Sequence, residues 1–80
     1  MVVLVVGADE FALRDTLASL GEDDGAIVLD PSAAALEEVE LAVRDPRVWY
    51  QIGDGDVVPL PDRSVDRVLG DGPDVARVRR

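Results

Sequence analysis

Short apolar runs alternate along this chain with segments in which apolar residues recur at helical spacing. Each apolar run is rich in valine, leucine or isoleucine, which is typical of buried strands. The predicted strands are residues 2–6, 26–30, 48–52 and 66–69. The segments between the first three runs predict helices near residues 10–20 and 32–44.

The first predicted helix has recognisable start and stop signals. Asp9 can accept a hydrogen bond from the first turn, so it is the predicted N-cap. Leu13, Leu17 and Leu20 recur on one face, which is expected to be buried. Gly21 can adopt the left-handed conformation that ends many helices, so it is the predicted stop.

The alternation of strand and helix predicts an α/β fold with a parallel sheet, because such strands are joined by right-handed crossovers. If the first two crossovers step the same way along the sheet, right-handedness places the two main helices on one face. Residues 53–65 are rich in Gly, Pro and Asp, and residues 74–80 are few, so neither segment is expected to cover the other face. We therefore expect a homodimer, or a protein partner, to cover an exposed apolar face.

Composition excludes several classes of function. The chain carries 8 basic and 17 acidic residues, a net charge of −9, so direct contact with nucleic acid or an anionic membrane is not expected. It has no cysteine and no histidine, which removes thiol nucleophiles and the commonest neutral-pH base. No apolar run approaches the ~20 residues of a membrane span, and no basic segment precedes Met1–Val6 as in a signal peptide. A cytoplasmic location is expected.

Two acids follow predicted strands. Asp30 ends the second strand, at the sheet edge where nucleotides bind in Rossmann-like folds, so it can accept hydrogen bonds from both ribose hydroxyls. It can equally be a helix N-cap before Pro31. Asp54 lies between Gly53 and Gly55 after the third strand, where an acidic turn is the alternative to a ligand contact.

The longer segment around Asp54 resembles a loop of class I S-adenosylmethionine-dependent methyltransferases of the type 11-like group. Residues 53–66 read GDGDVVPLPDRSVD, and VLVVG at 3–7 and IVLDPS at 27–32 precede them in the expected order. The resemblance covers residues 3 to about 70. It implies a truncated Rossmann-like sheet of strand order 3-2-1-4, with 1–80 forming a single N-terminal half-domain.

The resemblance also implies a cofactor site. It assigns the ribose contact to Asp30, the adenine contact to Asp54, and backbone contacts with S-adenosylmethionine to Gly7 and Gly55. The first loop departs from the family pattern, because Asp9 and Phe11 stand where the second and third glycines are expected. We therefore expect weak or no cofactor binding, and no methyl transfer by the isolated chain.

No catalytic residue is predicted. The residues after the fourth strand, GDGPD at 70–74, lack the Asn/Asp-Pro-Pro-aromatic loop of amino-methylating relatives. The leading hypothesis is a non-catalytic or partner-dependent methyltransferase-like protein that acts through self- or hetero-association. The alternatives are an S-adenosylmethionine-dependent methyltransferase whose site is completed in an oligomer, and a simple nucleotide-binding module.

Overall fold

A computed structural model describes all residues from Met1 to Arg80. The strands are β1 (Val2–Val6), β2 (Gly25–Asp30), β3 (Val48–Ile52) and β4 (Arg67–Leu69). The helices are α1 (Glu10–Ala18), α2 (Ala33–Val43) and α3 (Val75–Val78). None of the helices is long and apolar enough to cross a membrane.

The strands form one parallel sheet in the order β3-β2-β1-β4, which confirms the predicted topology. In the centre of the sheet, Val5 of β1 lies beside Val28 of β2 and Leu69 of β4. Predicted and observed bounds of every strand and of α2 agree within one residue at each end.

Helix α1 begins as predicted but ends earlier. Asp9 is its N-cap, and the Asp9 side chain accepts a hydrogen bond from the Ala12 N–H at 3.1 Å. The prediction that Gly21 ends α1 is wrong, because the helix stops at Ala18 and the Ser19 N–H bonds back to the Thr16 carbonyl. The Gly21 N–H instead donates to Asp24 in the turn that leads to β2.

Both main helices cover the same face of the sheet, as predicted. The buried residues of this layer alternate along β1 and β2 and recur at helical spacing in α1 and α2. They are Val3, Val5, Leu13, Leu17, Ala26, Val28, Leu36, Val39 and Val48. The two helices therefore build one apolar layer with the sheet.

The sequence predicted that the opposite face would be open, but the structure shows that its central part is covered. Leu4 and Leu29 point to this face and are fully buried beneath Val58, Val65 and Val78. The expectation that residues 53–65 and 74–80 leave the face exposed is therefore wrong for its central part. A covering layer does not need a long helix when single valines from irregular segments reach the sheet.

Backbone hydrogen bonds hold this cover in place. The Val65 N–H donates to the Val78 carbonyl at 2.9 Å, and the Arg80 N–H donates to the Val65 carbonyl at 2.8 Å. Arg79 consequently pairs with Val65 in a parallel bridge just before β4. The segment after α3 is thus anchored beside β4.

Arg77 links the two covering segments through its guanidinium group. It makes a two-pronged ion pair with Asp74 at 2.8 Å and a second ion pair with Asp62 at 2.7 Å. It also donates to the carbonyl oxygens of Val58 and Leu60, at 2.6 and 2.8 Å. Arg77 therefore satisfies several hydrogen-bond acceptors in a loop whose carbonyl groups do not take part in the sheet.

Arg77→Ala is expected to lower the thermal unfolding midpoint by about 10 °C, because each charge-assisted hydrogen bond lost leaves an acceptor without its donor. The matched control is Arg79→Ala, since Arg79 is exposed and makes no side-chain ion pair. Circular dichroism melts of both variants check this. Equal midpoints for the two variants would contradict the assigned role of Arg77.

The stability of the protein is expected to depend on pH in the acid range because of the ion pair between Arg77 and Asp74. The Arg77 side chain and the Val58 N–H lower the pKa of Asp74 from 3.8 to about 2. A depressed carboxyl pKa adds stability above the unfolded value of 3.8, and that contribution is lost as the pH falls towards 2. Asp74→Asn should therefore flatten the stability profile between pH 4 and 2, measured by urea unfolding at each pH. Asp56→Asn, an exposed acid of the same loop region, is the control that should leave the profile unchanged.

Candidate functional site

The carboxyl edge of the sheet brings together the residues that the sequence singled out. The Gly7 N–H donates to the Leu29 carbonyl at 2.6 Å, directly before Asp30. The Gly53 N–H donates to the Asp30 carbonyl at 3.1 Å, directly before Asp54. The loops after β1, β2 and β3 therefore meet at one edge, as expected for parallel strands.

Asp30 is half-buried and ties two of these loops together. One carboxylate oxygen accepts from the Ala8 N–H at 2.9 Å, and the other accepts from the Ser32 N–H at 2.8 Å. A carboxylate has about four acceptor positions, so two remain for a ligand. The backbone amides alone are enough to account for an acid at this position.

Asp30 is not the helix cap that was its alternative role. Helix α2 begins at Ala33, and its N-cap is Ser32, whose hydroxyl accepts from the Ala35 N–H at 3.2 Å. Because Asp30 still belongs to β2, its side chain reaches the Ser32 amide rather than the first turn of α2.

The first loop leaves space at Gly7 and directs its bulky residue outward. Gly7 has a φ of 105°, which side chains rarely adopt, and no atom lies within 4 Å of where a Cβ would stand. The Phe11 side chain is 86% exposed. Phe11 therefore extends into solvent, while Asp9 serves as the cap of α1.

Asp54 is exposed and folds its own loop. One of its oxygens accepts from the Asp56 N–H at 2.9 Å and from the Val57 N–H at 3.1 Å. This is the acidic turn that the sequence offered as the alternative to an adenine contact. The other oxygen makes no hydrogen bond within the chain, so the adenine contact stays a prediction.

Gly55 is buried against the loop that follows β4. A Cβ at Gly55 would overlap the Asp71 carbonyl oxygen and stand 2.9 Å from the Cα of Gly72. The Asp74 N–H also donates to the Gly55 carbonyl at 2.9 Å. No local pattern indicates that Gly72 and Asp74 join this loop, because only the tertiary fold brings them near Gly55.

Two clefts are present, and both lie on the helical side of the sheet. One, of about 500 Å³, separates the end of α2 from β3 and is lined by Glu40, Leu41, Arg44, Asp45, Pro46, Val48 and Tyr50. The other, of about 660 Å³, lies between α1 and α2 and is lined by Ala8, Glu10, Glu38, Val39, Leu41 and Ala42. No group of acidic side chains is arranged to hold a metal ion.

The fit of the carboxyl edge to an S-adenosyl group is incomplete. The free acceptor positions on Asp30 and Asp54 suit ribose hydroxyls and an adenine amine, and the space at Gly7 permits close approach. Neither cleft, however, is lined by Gly7, Asp30, Asp54 or Gly55. The hydrogen-bond acceptors are present, but no cavity encloses a ligand at them.

Tyr50 lines the cleft between the end of α2 and β3, and the sequence did not single it out. Its hydroxyl is buried and has no hydrogen-bond partner. Burial raises the pKa of Tyr50, and the nearby carboxylates of Glu40 and Asp45 raise it further. An orphaned hydroxyl cannot be read from a sequence, because it depends on which polar groups the fold fails to bring near.

The fold is the Rossmann-like fold of S-adenosylmethionine-dependent methyltransferases. An Aquifex aeolicus SAM-dependent methyltransferase superposes over 100% of this chain with a TM-score of 0.80 and 22% identity. A Methanosarcina mazei enzyme of the same description covers 84% of the chain, with a TM-score of 0.65 and 19% identity. These identities show the shared fold alone.

A third similar structure is a complex between the Haloferax volcanii Trm112 methyltransferase activator and a methyltransferase. It covers 84% of this chain with a TM-score of 0.72 and 28% identity. The chain spans only 51%, 34% and 30% of the Aquifex, Methanosarcina and Haloferax chains. No protein-family model matches the sequence, and a search of curated proteins gave no match.

Proposed function

We propose that this chain is a methyltransferase-like protein that acts through association with another polypeptide and does not transfer methyl groups by itself. One observation carries the proposal. Asp30 and Asp54, the two acids implied as cofactor contacts, are hydrogen-bonded to backbone amides of the loops at this edge, and no cleft joins them. Here these two acids stabilise the loops of the fold, whereas the resemblance implies that the corresponding residues of the methyltransferases bind the cofactor.

The comparison with the Haloferax complex supports association. In that structure a methyltransferase is held with an activator protein, so a domain of this fold can act with a bound partner. The present chain also exposes large apolar side chains at its surface, among them Trp49 and Ile52. Both belong to β3, a strand at the edge of the sheet, and exposed apolar residues there favour contact with another protein surface.

The decisive experiment is calorimetric titration of the chain with S-adenosylmethionine and S-adenosylhomocysteine. We expect dissociation constants above about 1 mM, since an open edge without an enclosing cavity buries little of a ligand. A dissociation constant in the micromolar range would contradict the proposal. Titration with AMP tests the nucleotide-binding module in the same way, because that hypothesis requires binding of the nucleotide alone.

The second candidate is an S-adenosylmethionine-dependent methyltransferase whose site is completed in an oligomer. The free oxygen of Asp54 and the open space at Gly7 favour it, because both face outward at the carboxyl edge. If micromolar binding appears, Asp30→Asn and Asp54→Asn should each weaken it about tenfold or more. Asp56→Asn is the control and should leave affinity unchanged. Insensitivity to both substitutions would place the ligand elsewhere.

A further inference from the structure

The two edges of the sheet differ in how they are protected. The outer edge of β4 is short and carries Arg67, and the bridge at Val65 brings Arg79 beside it. Arginine on an edge strand opposes pairing with another strand. The other edge is β3, whose sequence VWYQI contains no charged residue. Only the β3 edge therefore lacks this form of protection.

Most backbone groups on the outer side of β3 are available for pairing. The exceptions are the Val48 N–H, which donates to the Asp45 carbonyl at 3.2 Å, and the Ile52 carbonyl, which accepts from the Gln51 side-chain amide at 3.2 Å. The Ala26 N–H donates to the Arg47 carbonyl, and the Gly53 N–H donates to the Asp30 carbonyl, so the odd-numbered residues of this region face β2. Because backbone groups alternate in direction along a strand, those of Val48, Tyr50 and Ile52 face away from the sheet. Tyr50 lies at the middle of this outward row.

Apolar side chains flank the same edge on both faces. Trp49 is 60% exposed on the face that the 53–66 loop leaves uncovered. Ile52 and Leu41 are 55% and 54% exposed on the helical side. An unpaired strand between exposed apolar side chains is the arrangement that strand addition uses.

The charges beside β3 suit a second copy of the chain. Glu40 and Arg44 line the same cleft as Tyr50, and neither forms an ion pair within the chain. The Arg44 Nε donates only to the Leu41 carbonyl, at 3.2 Å. A surface that carries one carboxylate and one guanidinium without ion-pair partners next to a two-fold axis is complementary to itself. A partner of uniform charge would leave one of the two unpaired.

We propose that two copies of this chain pair through antiparallel β3 strands about a two-fold axis at Tyr50. Trp49 of one copy then lies opposite Gln51 of the other, and Val48 lies opposite Ile52, so no like charges meet along the strands. Glu40 of each copy faces Arg44 of the other. The inference rests on the proposed function, of which it names the partner and the surface.

Sedimentation equilibrium at micromolar concentrations tests this pairing. The parent chain is expected to be a dimer, and Ile52→Glu and Trp49→Glu should each raise the dissociation constant about tenfold or more, because a carboxylate would be desolvated at the edge. The control is Phe11→Glu, which removes an even more exposed apolar side chain that lies outside β3. A monomeric parent, or equal weakening by Phe11→Glu, would overturn the proposal.

Cysteine cross-linking tests the register, and the chain has no native cysteine to interfere. In the proposed pairing, Trp49 and Gln51 form a pair with Cα atoms about 4.5 Å apart, within reach of a disulfide. Oxidation of a mixture of Trp49→Cys and Gln51→Cys chains should give mainly the mixed dimer. Equal yields of mixed and like dimers would refute the register.

The two proposals fail in different ways. If the chain is a monomer that binds another polypeptide and no S-adenosyl ligand, the β3 pairing is wrong. The association hypothesis is then still supported. Micromolar binding of S-adenosylhomocysteine by a β3-paired dimer would sink the non-catalytic hypothesis and leave the pairing standing.

Discussion

Val78→Asp is expected to remove a large part of the stability of this protein and to lower its urea unfolding midpoint sharply. Val78 is fully buried against Leu4 and Leu29, where an aspartate would have neither water nor a cationic partner. The expected cost is about 4 kcal/mol or more, against a total stability of roughly 5–15 kcal/mol for a small domain. Val78→Ala should be milder, at about 2 kcal/mol, since it removes only apolar surface.

Urea unfolding followed by circular dichroism measures both variants. Ala76→Asp is the control, because Ala76 belongs to the same short helix and is exposed. We expect the control to unfold cooperatively near the parent's midpoint. Cooperative unfolding of Val78→Asp at that same midpoint would mean that α3 does not cover the sheet.

The elements could be predicted from sequence where the signal is local. Strands β1, β2 and β3 are mainly apolar runs, with Gln51 and the terminal Asp30 as the polar exceptions. The inward face of α1 is set by the spacing of Leu13 and Leu17. The unbroken valine and leucine of β1 also agree with its burial on both sides, by Val3 and Val5 on one face and Leu4 on the other. What covers the second side could not be predicted, because Val58, Val65 and Val78 lie in segments without periodicity.

In the candidate site, too, the features set by the local sequence could be predicted, and those set by the tertiary fold could not. That Asp30 lies at the carboxyl edge follows from its position at the end of a strand. That its oxygens bond to the amides of Ala8 and Ser32 depends on how the loop after β1 and the start of α2 are placed. Ser32 rather than Asp30 caps α2, and the sequence Asp-Pro-Ser offered both acceptors within three residues.

The loop around Asp54 shows why a motif does not settle its own role. The Gly53-Asp54-Gly55 triplet is turn chemistry in any protein and a ligand loop in the methyltransferases it resembles. In this structure Asp54 closes the turn, and Gly55 permits the close approach of the loop after β4. The contact with Gly72 gives Gly55 a structural role that can be tested without any ligand.

Gly55→Ala is expected to lower stability by about 1–3 kcal/mol, because the new methyl group would overlap the backbone at Asp71 and Gly72, which cannot move aside as a flexible side chain can. Separating the loops would also strain the hydrogen bond from the Asp74 N–H to the Gly55 carbonyl. Urea unfolding measures the loss. Gly21→Ala is the control, since a Cβ there meets only the Asp24 side chain at an ordinary 3.5 Å, and a gain of about 0.4–1 kcal/mol is expected. Unchanged stability of Gly55→Ala would show that the loops after β3 and β4 do not meet, and would return Gly55 to the role of a free ligand contact.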